Sequence, residues 1–161
     1  MSRRGTELMT TASRQLDEMT EFFGTLEEAD LRRPCPDDDA GDTVGAIAVH
    51  TAQGYALLGR FLQATGYVPG ATGGGGHGHG PCRSRGGAPG LLPTPATLRT
   101  QVSAATAPIG RLADLTDEQL DSVPRPGSSR FADGHRSLEQ VIDAVIDHQA
   151  AHLAALKQAV Q

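Results

Sequence analysis

The sequence predicts an all-α protein, an antiparallel four-helix bundle that forms a single domain over residues 1–161. Three observations indicate this fold class. Four segments carry apolar residues at intervals of three and four, which is the spacing of an amphipathic helix. No segment shows the strict apolar–polar alternation of a convincing strand. The core also lacks large aromatic side chains, with no Trp, 2 Tyr and 4 Phe, so it must be filled by Leu, Ile, Val and Ala, as in packed helices.

The first helix is predicted from about Thr6 to Leu26, where apolar side chains recur every three or four residues. The capping box Thr25-x-x-Glu28 then predicts a short helix that ends before Pro34. The second long helix begins after Asp42-Thr43, either of which can cap it, and ends at Gly66. Its apolar face consists of Val44, Ile47, Thr51, Tyr55, Leu58, Phe61 and Leu62.

Thr94-Pro95 predicts the start of the third helix, because proline is favoured at the first helical position after an N-cap. Pro108 lies within its apolar stripe and predicts a kink. The capping box Thr116-x-x-Gln119 predicts one or two helical turns, and Ser137-x-x-Gln140 begins a fourth helix that continues to Val160. The stripe of the third helix consists of Leu98, Val102, Ala105, Ile109 and Leu112.

Between the second and third helices lies a glycine-rich segment, residues 70–93. It holds ten glycines between positions 70 and 90, and glycine loses more backbone entropy on ordering than any other residue. We therefore expect a long, flexible crossover. A mobile lid over the open end of the bundle and a disordered surface loop are both compatible with it.

Composition and charge exclude some functional classes. The net charge is −5, so the chain lacks the basic field that holds a nucleic-acid backbone. The sequence contains no run of roughly 18 apolar residues, so it predicts no membrane span. The N-terminal segment also lacks the apolar core of an export signal. The two cysteines, Cys35 and Cys82, fit a reducing cytoplasm, although a bridge between them is not excluded by the sequence.

The positions of the histidines carry the functional information. In the fourth helix the apolar positions continue through His148 and His152, which predicts that both imidazoles lie in the core seam. Residues four apart lie on one face, about 6 Å apart along the axis, within reach of one metal ion. His50 lies at the edge of the apolar face of the second helix and can supply a third ligand.

Three imidazoles around one ion leave a fourth position open for water or substrate, which is the pattern of a catalytic rather than a structural metal site. The alternative is a hydrogen-bonded structural pair of core histidines. Each buried imidazole needs a partner for its polar nitrogens, and a metal ion satisfies one nitrogen on each ring. A bound metal ion would therefore provide a partner for both rings of the fourth helix at once.

This arrangement resembles the DinB-like metal-binding four-helix bundle superfamily, which includes thiol-dependent S-transferases and mycothiol-dependent maleylpyruvate isomerases. The matching segments are Thr43-Val44-Gly45-Ala46-Ile47-Ala48-Val49-His50, Leu115-Thr116-Asp117-Glu118-Gln119-Leu120 and Asp147-His148-Gln149-Ala150-Ala151-His152-Leu153. The resemblance implies that His50, His148 and His152 bind a divalent cation, with zinc or nickel the expected metals. It also implies a small-molecule substrate and a low-molecular-weight thiol such as mycothiol as co-substrate.

The glycine-rich segment departs from the pattern of the superfamily. His77, His79 and Cys82 are candidates for a second metal site, although their spacing matches no standard zinc motif. Arg83 and Arg85 are candidates for binding an anionic substrate, with an exposed, solvated pair as the alternative.

Residues outside that segment offer weaker candidates. Tyr55 is a candidate for substrate binding, with core packing as the alternative. Asp147 could orient a histidine ligand or be solvated, and His135 is expected at the surface.

The expected function is that of a cytoplasmic bacterial enzyme, a metal-dependent transferase that joins a small thiol to an electrophilic small molecule. A metal-dependent hydrolase or isomerase would use the same ligands. A non-catalytic module that binds a metal or a small ligand is the alternative from another class, and a homodimer is compatible with the superfamily. The sequence identifies no catalytic residue other than these metal ligands.

Overall fold

The computed structural model describes residues 1–37, 40–70 and 93–161, and within these ranges the chain is predominantly helical, as predicted. In chain order the helices are α1 (Arg3–Thr25), α2 (Glu28–Leu31), α3 (Val44–Ala64), α4 (Pro95–Ser103), α5 (Thr106–Gly110), α6 (Asp117–Asp121) and α7 (Leu138–Ala159). A 3-10 turn, Arg111–Asp114, follows α5 directly. Among the described residues no helix is both long enough and apolar enough to cross a membrane.

The three long helices and the α4–α5 region share one hydrophobic core. Helix α3 packs along α7, and α1 contacts α4, α5, the 3-10 turn and α7. The apolar faces predicted for the second and third helices are buried in these contacts. The largest fully buried side chains include Phe23 and Met19 of α1, Ile47 and Leu62 of α3, Leu98 of α4 and Leu138 of α7.

Side-chain caps begin the helices where the sequence predicts them. At four of these starts a hydroxyl accepts a hydrogen bond from the backbone amide three residues later, which satisfies an amide that has no partner within the helix. Helix α3 ends just before Gly66, whose φ of +77° is a conformation that favours glycine. The capping residues are Thr43, Thr94, Thr116 and Ser137.

The sequence shows no convincing strand, yet the structure contains a short hairpin. Strands β1 (Pro34–Asp37) and β2 (Gly41–Thr43) pair antiparallel and lead directly into α3. Segments of four and three residues are too short to show an alternating pattern. The prolines at positions 34 and 36, which do end the preceding helix, are tolerated at a sheet edge.

Two predicted boundaries also differ. Helix α1 begins at Arg3 rather than Thr6, because Ser2 caps it and accepts a hydrogen bond from the amide of Gly5. The capping box of α2 is formed by Glu27 and Asp30, not by Thr25 and Glu28. The Thr25 hydroxyl instead donates to the carbonyl oxygen of Phe22 in the last turn of α1, at 2.7 Å, so it does not cap the next helix.

The third predicted helix is broken rather than kinked. Helix α4 ends at Ser103 and α5 begins at Thr106, with Pro108 inside α5. Proline has no amide hydrogen to donate to the carbonyl of residue 104, and its ring crowds that carbonyl. The helix is therefore interrupted four residues before the proline, although the predicted apolar stripe stays buried across the break.

A buried polar cluster links the three long helices. The side-chain amide of Gln15 in α1 donates to the carbonyl oxygen of Ile146 in α7 at 3.0 Å, and the hydroxyl of Tyr55 in α3 donates to Oε1 of Gln15. We refer to Gln15, Tyr55 and the Ile146 carbonyl as the Gln15 cluster. It lies close in sequence to the histidines of α3 and α7, and it fixes how these helices face each other.

Candidate metal centre

The structure brings together the three histidines that the sequence singles out. His50 on α3 faces His148 and His152 on α7, and one nitrogen from each ring lies within 4.8 Å of the other two. The ring centroid of His50 is 5.8 Å from that of His148 and 4.9 Å from that of His152. The two rings on α7 are 4.2 Å apart, and all three pairs are close to perpendicular.

The geometry fits a divalent cation held by imidazole nitrogens. Nε2 of His148 and Nε2 of His152 are 2.9 Å apart. With zinc–nitrogen bonds of about 2.0–2.1 Å, two nitrogens of a tetrahedral site are separated by about 3.3 Å. Small side-chain rotations would therefore bring these rings to ligand positions. Imidazole suits zinc, nickel and copper, so the donor set agrees with the predicted metals without choosing between them.

The burial of the three rings differs, and it changes one expectation. His152 is buried, whereas His50 and His148 are half-buried. The core seam of α7 passes through Ile146, Gln149 and Leu153 instead of through His148. The prediction that both histidines of α7 lie in the seam is thus right for His152 and wrong for His148. The seam is set by packing against α1 as well as α3, which sequence periodicity alone does not show.

Gln149 and Gly54 set the distance between α3 and α7 at this point. The side-chain amide of Gln149 donates to the carbonyl oxygen of Thr51 at 2.6 Å and crosses α3 above Gly54. A Cβ atom on Gly54 would lie only 2.3 Å from Nε2 of Gln149. Glycine at position 54 therefore allows the close approach that brings His50 to the histidines of α7.

A pocket of about 130 Å³ lies beside the histidines, and His50 and His148 form part of its wall. The remaining wall comes from α3, from α7 and from the loop of residues 122–137 that joins α6 to α7, which we call the α6–α7 loop. These lining residues are Gly54, Leu57, Leu58, Phe61, Ser129, Arg130, Phe131, Val145 and Gln149.

Two residues of the α6–α7 loop extend the site outwards from His148. The ring of Phe131 lies edge-on to that of His148, with 5.5 Å between their centroids. The guanidinium carbon of Arg130 lies 5.7 Å from the centroid of Phe131, a cation–π distance. From the rim of the pocket inwards to the three histidines, the order is therefore Arg130, Phe131, His148.

The loop is held in shape by its own hydrogen bonds. The carboxylate of Asp133 accepts from the amides of His135 and Arg136, both at 2.8 Å. The Arg136 amide and then the His135 amide lower the pKa of Asp133. The amide of Gly127 donates to the carbonyl oxygen of Ala132 at 2.9 Å, so the segment that carries Arg130 and Phe131 is closed at both ends.

Tyr55 does not reach the pocket. Its side chain is only 1% exposed and its hydroxyl is bonded within the Gln15 cluster, so its position agrees with the alternative of core packing. Burial raises the pKa of this hydroxyl. The expectation that Tyr55 holds substrate is not supported by this placement.

The other candidates lie at the surface or outside the described residues. Asp147 and His135 are exposed, the latter as predicted. Cys35 is buried, with Sγ 3.8 Å from the carbonyl oxygen of Ala155. Outside the described ranges lie the candidates for a second metal site, His77, His79 and Cys82, and the candidates for anion binding, Arg83 and Arg85. A bridge from Cys35 to Cys82 is untested for the same reason.

Sequence reasoning missed Arg130, Phe131 and Gln149. The first two lie in an irregular loop, where no periodicity indicates which way a side chain points. Gln149 interrupts an apolar seam, and a polar residue at such a position is a usable signal, because it must find a hydrogen-bond partner when buried.

Comparison with known proteins finds no matching family model, no matching curated protein and no matching solved structure.

Proposed function

We propose that this protein is a metal-dependent enzyme that transfers a low-molecular-weight thiol to an electrophilic small molecule. The observation that carries the proposal is the convergence of His50, His148 and His152, from two helices, beside a largely apolar pocket whose wall includes His50 and His148. A structural metal site is normally closed by four protein ligands, whereas three ligands beside a cavity leave a position for an exchangeable group.

The proposal includes the finer assignment of the fold. Helices α1, α3 and α7, together with the interrupted run from α4 to the 3-10 turn, would be the four helices of a DinB-like bundle, with the glycine-rich segment as the crossover. What supports this assignment is the shared core of these elements and the position of the three histidines on its second and last helices. The proposed setting is the bacterial cytoplasm, where small thiols stay reduced.

A divalent cation bound by the three imidazoles would act as a Lewis acid and lower the pKa of a bound thiol or water. The residues of the chain supply the rest. Leu57, Phe61 and Phe131 line the pocket and exclude water from an apolar electrophile. Gln149 keeps α3 close to α7 and thereby holds the three nitrogens near one another.

The atoms and electrons of the transfer balance when the electrophile is an alkyl halide. A sulfur–carbon bond forms, the carbon–halogen bond breaks, the halide leaves with the bonding electrons, and the thiol proton goes to water. Hydrolysis or isomerisation would use the same ligands, so the assay must separate these reactions.

The test measures conjugation of mycothiol to benzyl chloride, a single-ring alkyl halide, by zinc- or nickel-loaded protein, with the thioether product quantified by liquid chromatography. We expect conjugation above the uncatalysed rate, and its loss in a His148→Ala/His152→Ala variant. His135→Ala is the matched control, because it removes an exposed histidine outside the site and should keep the full rate.

Other results would identify a different function. Hydrolysis of 4-nitrophenyl esters without thiol conjugation, lost in the same double variant, would replace the proposal with a hydrolase. Metal binding without turnover of any electrophile, ester or isomerisable substrate would favour the non-catalytic module.

A further inference from the structure

The size of the pocket beside the histidines limits what it can hold. Its volume is about 130 Å³, close to the roughly 150 Å³ of an engineered apolar cavity that binds benzene. One aromatic ring or one branched alkyl group of similar size fills such a space. Any further part of a larger molecule would lie outside this space.

The walls favour an apolar occupant. Aliphatic and aromatic side chains contribute most of the lining, from Leu57, Leu58 and Phe61 on α3 and from Phe131 and Val145 on the other side. The Phe131 ring offers a face or an edge to a second ring. Leu57 is half-exposed, so an occupant would also cover apolar surface that faces solvent.

Arg130 places a guanidinium at the rim of the pocket, in a protein whose net charge is −5. Arg130 is the one residue with a formal positive charge among those that line the pocket, and none of these described lining residues is acidic. A guanidinium carries five N–H donors in a planar fork that matches a carboxylate, so it can bind an anion while it keeps other contacts.

Arg130, Phe131 and His148 lie in series, which sets the distance between the guanidinium and the histidines. Arg130 lies over Phe131, and Phe131 lies against His148, so one aromatic ring separates the guanidinium from the metal centre. An occupant bound parallel to this series would have its negative end at Arg130 and its apolar body in the pocket. Its other end would face His50 and His148.

We infer that the electrophilic substrate is a ring-sized apolar molecule with one negatively charged group, such as a carboxylate, which Arg130 binds. The inference rests on the proposed function in taking this pocket as the substrate site. In the α6–α7 loop it assigns Arg130 as the residue that selects the charge of the substrate and Phe131 as a wall for its apolar part.

The test is a binding measurement that does not depend on turnover. Dissociation constants of 4-fluorobenzoate and the neutral 4-fluorobenzamide are measured by ¹⁹F NMR at low ionic strength with the full-length protein. We expect the benzoate to bind about fivefold more tightly, the upper end of the range for an exposed ion pair. Arg130→Gln should bring the two constants together. Arg125→Gln, a change of an exposed arginine in the same loop that does not line this pocket, should keep the preference.

A second variant locates the binding. Val145→Phe should fill the pocket and weaken both ligands by tenfold or more. Equal affinity of benzoate and benzamide for the parent protein, or a preference that survives Arg130→Gln, would overturn the inference. Undiminished binding to a folded Val145→Phe protein would do the same, because it would place the ligands elsewhere.

The double variant His148→Ala/His152→Ala separates this inference from the proposed function. A benzoate preference that persists there, and is lost on Arg130→Gln, supports the role of Arg130 even if no thiol transfer is found. Thiol transfer by the parent protein to neutral electrophiles alone would overturn the inference while leaving the proposed function intact.

Discussion

Helices α3 and α7 carry two polar clusters within a few residues of each other, and the clusters differ in their chemistry. In the Gln15 cluster each donor meets an acceptor: the tyrosine hydroxyl meets an amide oxygen, and the amide nitrogen meets the Ile146 carbonyl. In the histidine cluster three imidazoles converge, and the 2.9 Å contact between Nε2 of His148 and Nε2 of His152 is a hydrogen bond in which one ring donates and the other accepts. The Gln15 cluster pairs unlike groups and offers no set of ligands, whereas three converging imidazole nitrogens can also form the donor set of a cation. Whether a buried polar cluster can bind a ligand therefore depends on which groups its polar atoms face.

Because of this difference between the two clusters, we expect a cation to stabilise the protein only through the histidine cluster. A ligand at one hundred times its dissociation constant stabilises the folded state by about 2.7 kcal/mol. For a chain of this length that corresponds to a rise in Tm of about 5–11 °C. We expect this rise on adding zinc to the parent protein, as measured by calorimetry, and none in His148→Ala/His152→Ala.

A Gln15→Ala variant should undergo the same rise in Tm with zinc, from a lower starting value. An equal rise in the histidine double variant would contradict the comparison. It would show that the stabilising ion binds elsewhere.

Breaking the Gln15 cluster should cost stability without affecting metal binding. Gln15→Ala leaves the buried Tyr55 hydroxyl without its partner, and such a group costs about 1–3 kcal/mol. Urea unfolding should show this loss, and it should shrink when Tyr55→Phe is added to remove the orphaned hydroxyl. A double variant as unstable as the sum of the two single variants would show that the groups are not coupled.

Tyr55 also predicts a pH dependence. Burial raises the pKa of its hydroxyl in the folded protein above the value of about 10 that it has when unfolded. Its contribution to stability is fully present below pH 10 and is lost as the pH rises above that value toward the folded pKa. As the pH rises from 7 to between 10 and 11, the free energy of unfolding should therefore fall less in Tyr55→Phe than in the parent protein. Parallel stability curves for the two proteins would contradict this.

The close approach of α3 to α7 can be disturbed from Gly54. In Gly54→Ala the new methyl group displaces the side chain of Gln149 from its bond to Thr51, which costs about 1 kcal/mol and separates the helices. Helix propensity offsets a similar amount, so the free energy of unfolding should change little while zinc affinity falls at least threefold.

The matched control for this change is Gly24→Ala in α1, where a methyl group meets open space. It should raise stability slightly and leave zinc affinity unchanged. Equal zinc affinity in the two variants would mean that the helix spacing at Gly54 does not position the histidines.

A smaller, local effect is expected in the α6–α7 loop. Asp133→Ala removes the acceptor for two backbone amides, so hydrogen exchange at His135 and Arg136 should quicken. In the parent protein the lowered pKa of Asp133 means that this contribution is present above about pH 4 and is lost as the pH falls through the folded pKa. Asp114→Ala, at an exposed ion pair with Arg111, should leave exchange in the loop unchanged.

The helices and the convergence of the three histidines could be predicted because both depend largely on local spacing. Capping residues at Thr43, Thr94 and Ser137 define helix starts, and His148 and His152 share a face because they are four residues apart. Predicting that His50 joins them required one further inference, that the second helix packs against the last.

The missed features depend on contacts between distant segments. The β1–β2 hairpin is too short to show periodicity, and the hydroxyl of Thr25 is used within α1. Arg130 and Phe131 lie against the pocket because of the loop's own hydrogen bonds, which no sequence spacing indicates.

X-ray absorption at the zinc edge, with one equivalent of zinc bound to the full-length protein, measures the ligands of the ion itself. We predict three imidazole nitrogens and one further light atom at about 2.0–2.1 Å, and loss of this signature in His148→Ala/His152→Ala. A sulfur neighbour at about 2.3 Å, or an unchanged imidazole signature in the double variant, would contradict the assignment and move the metal site to another part of the chain.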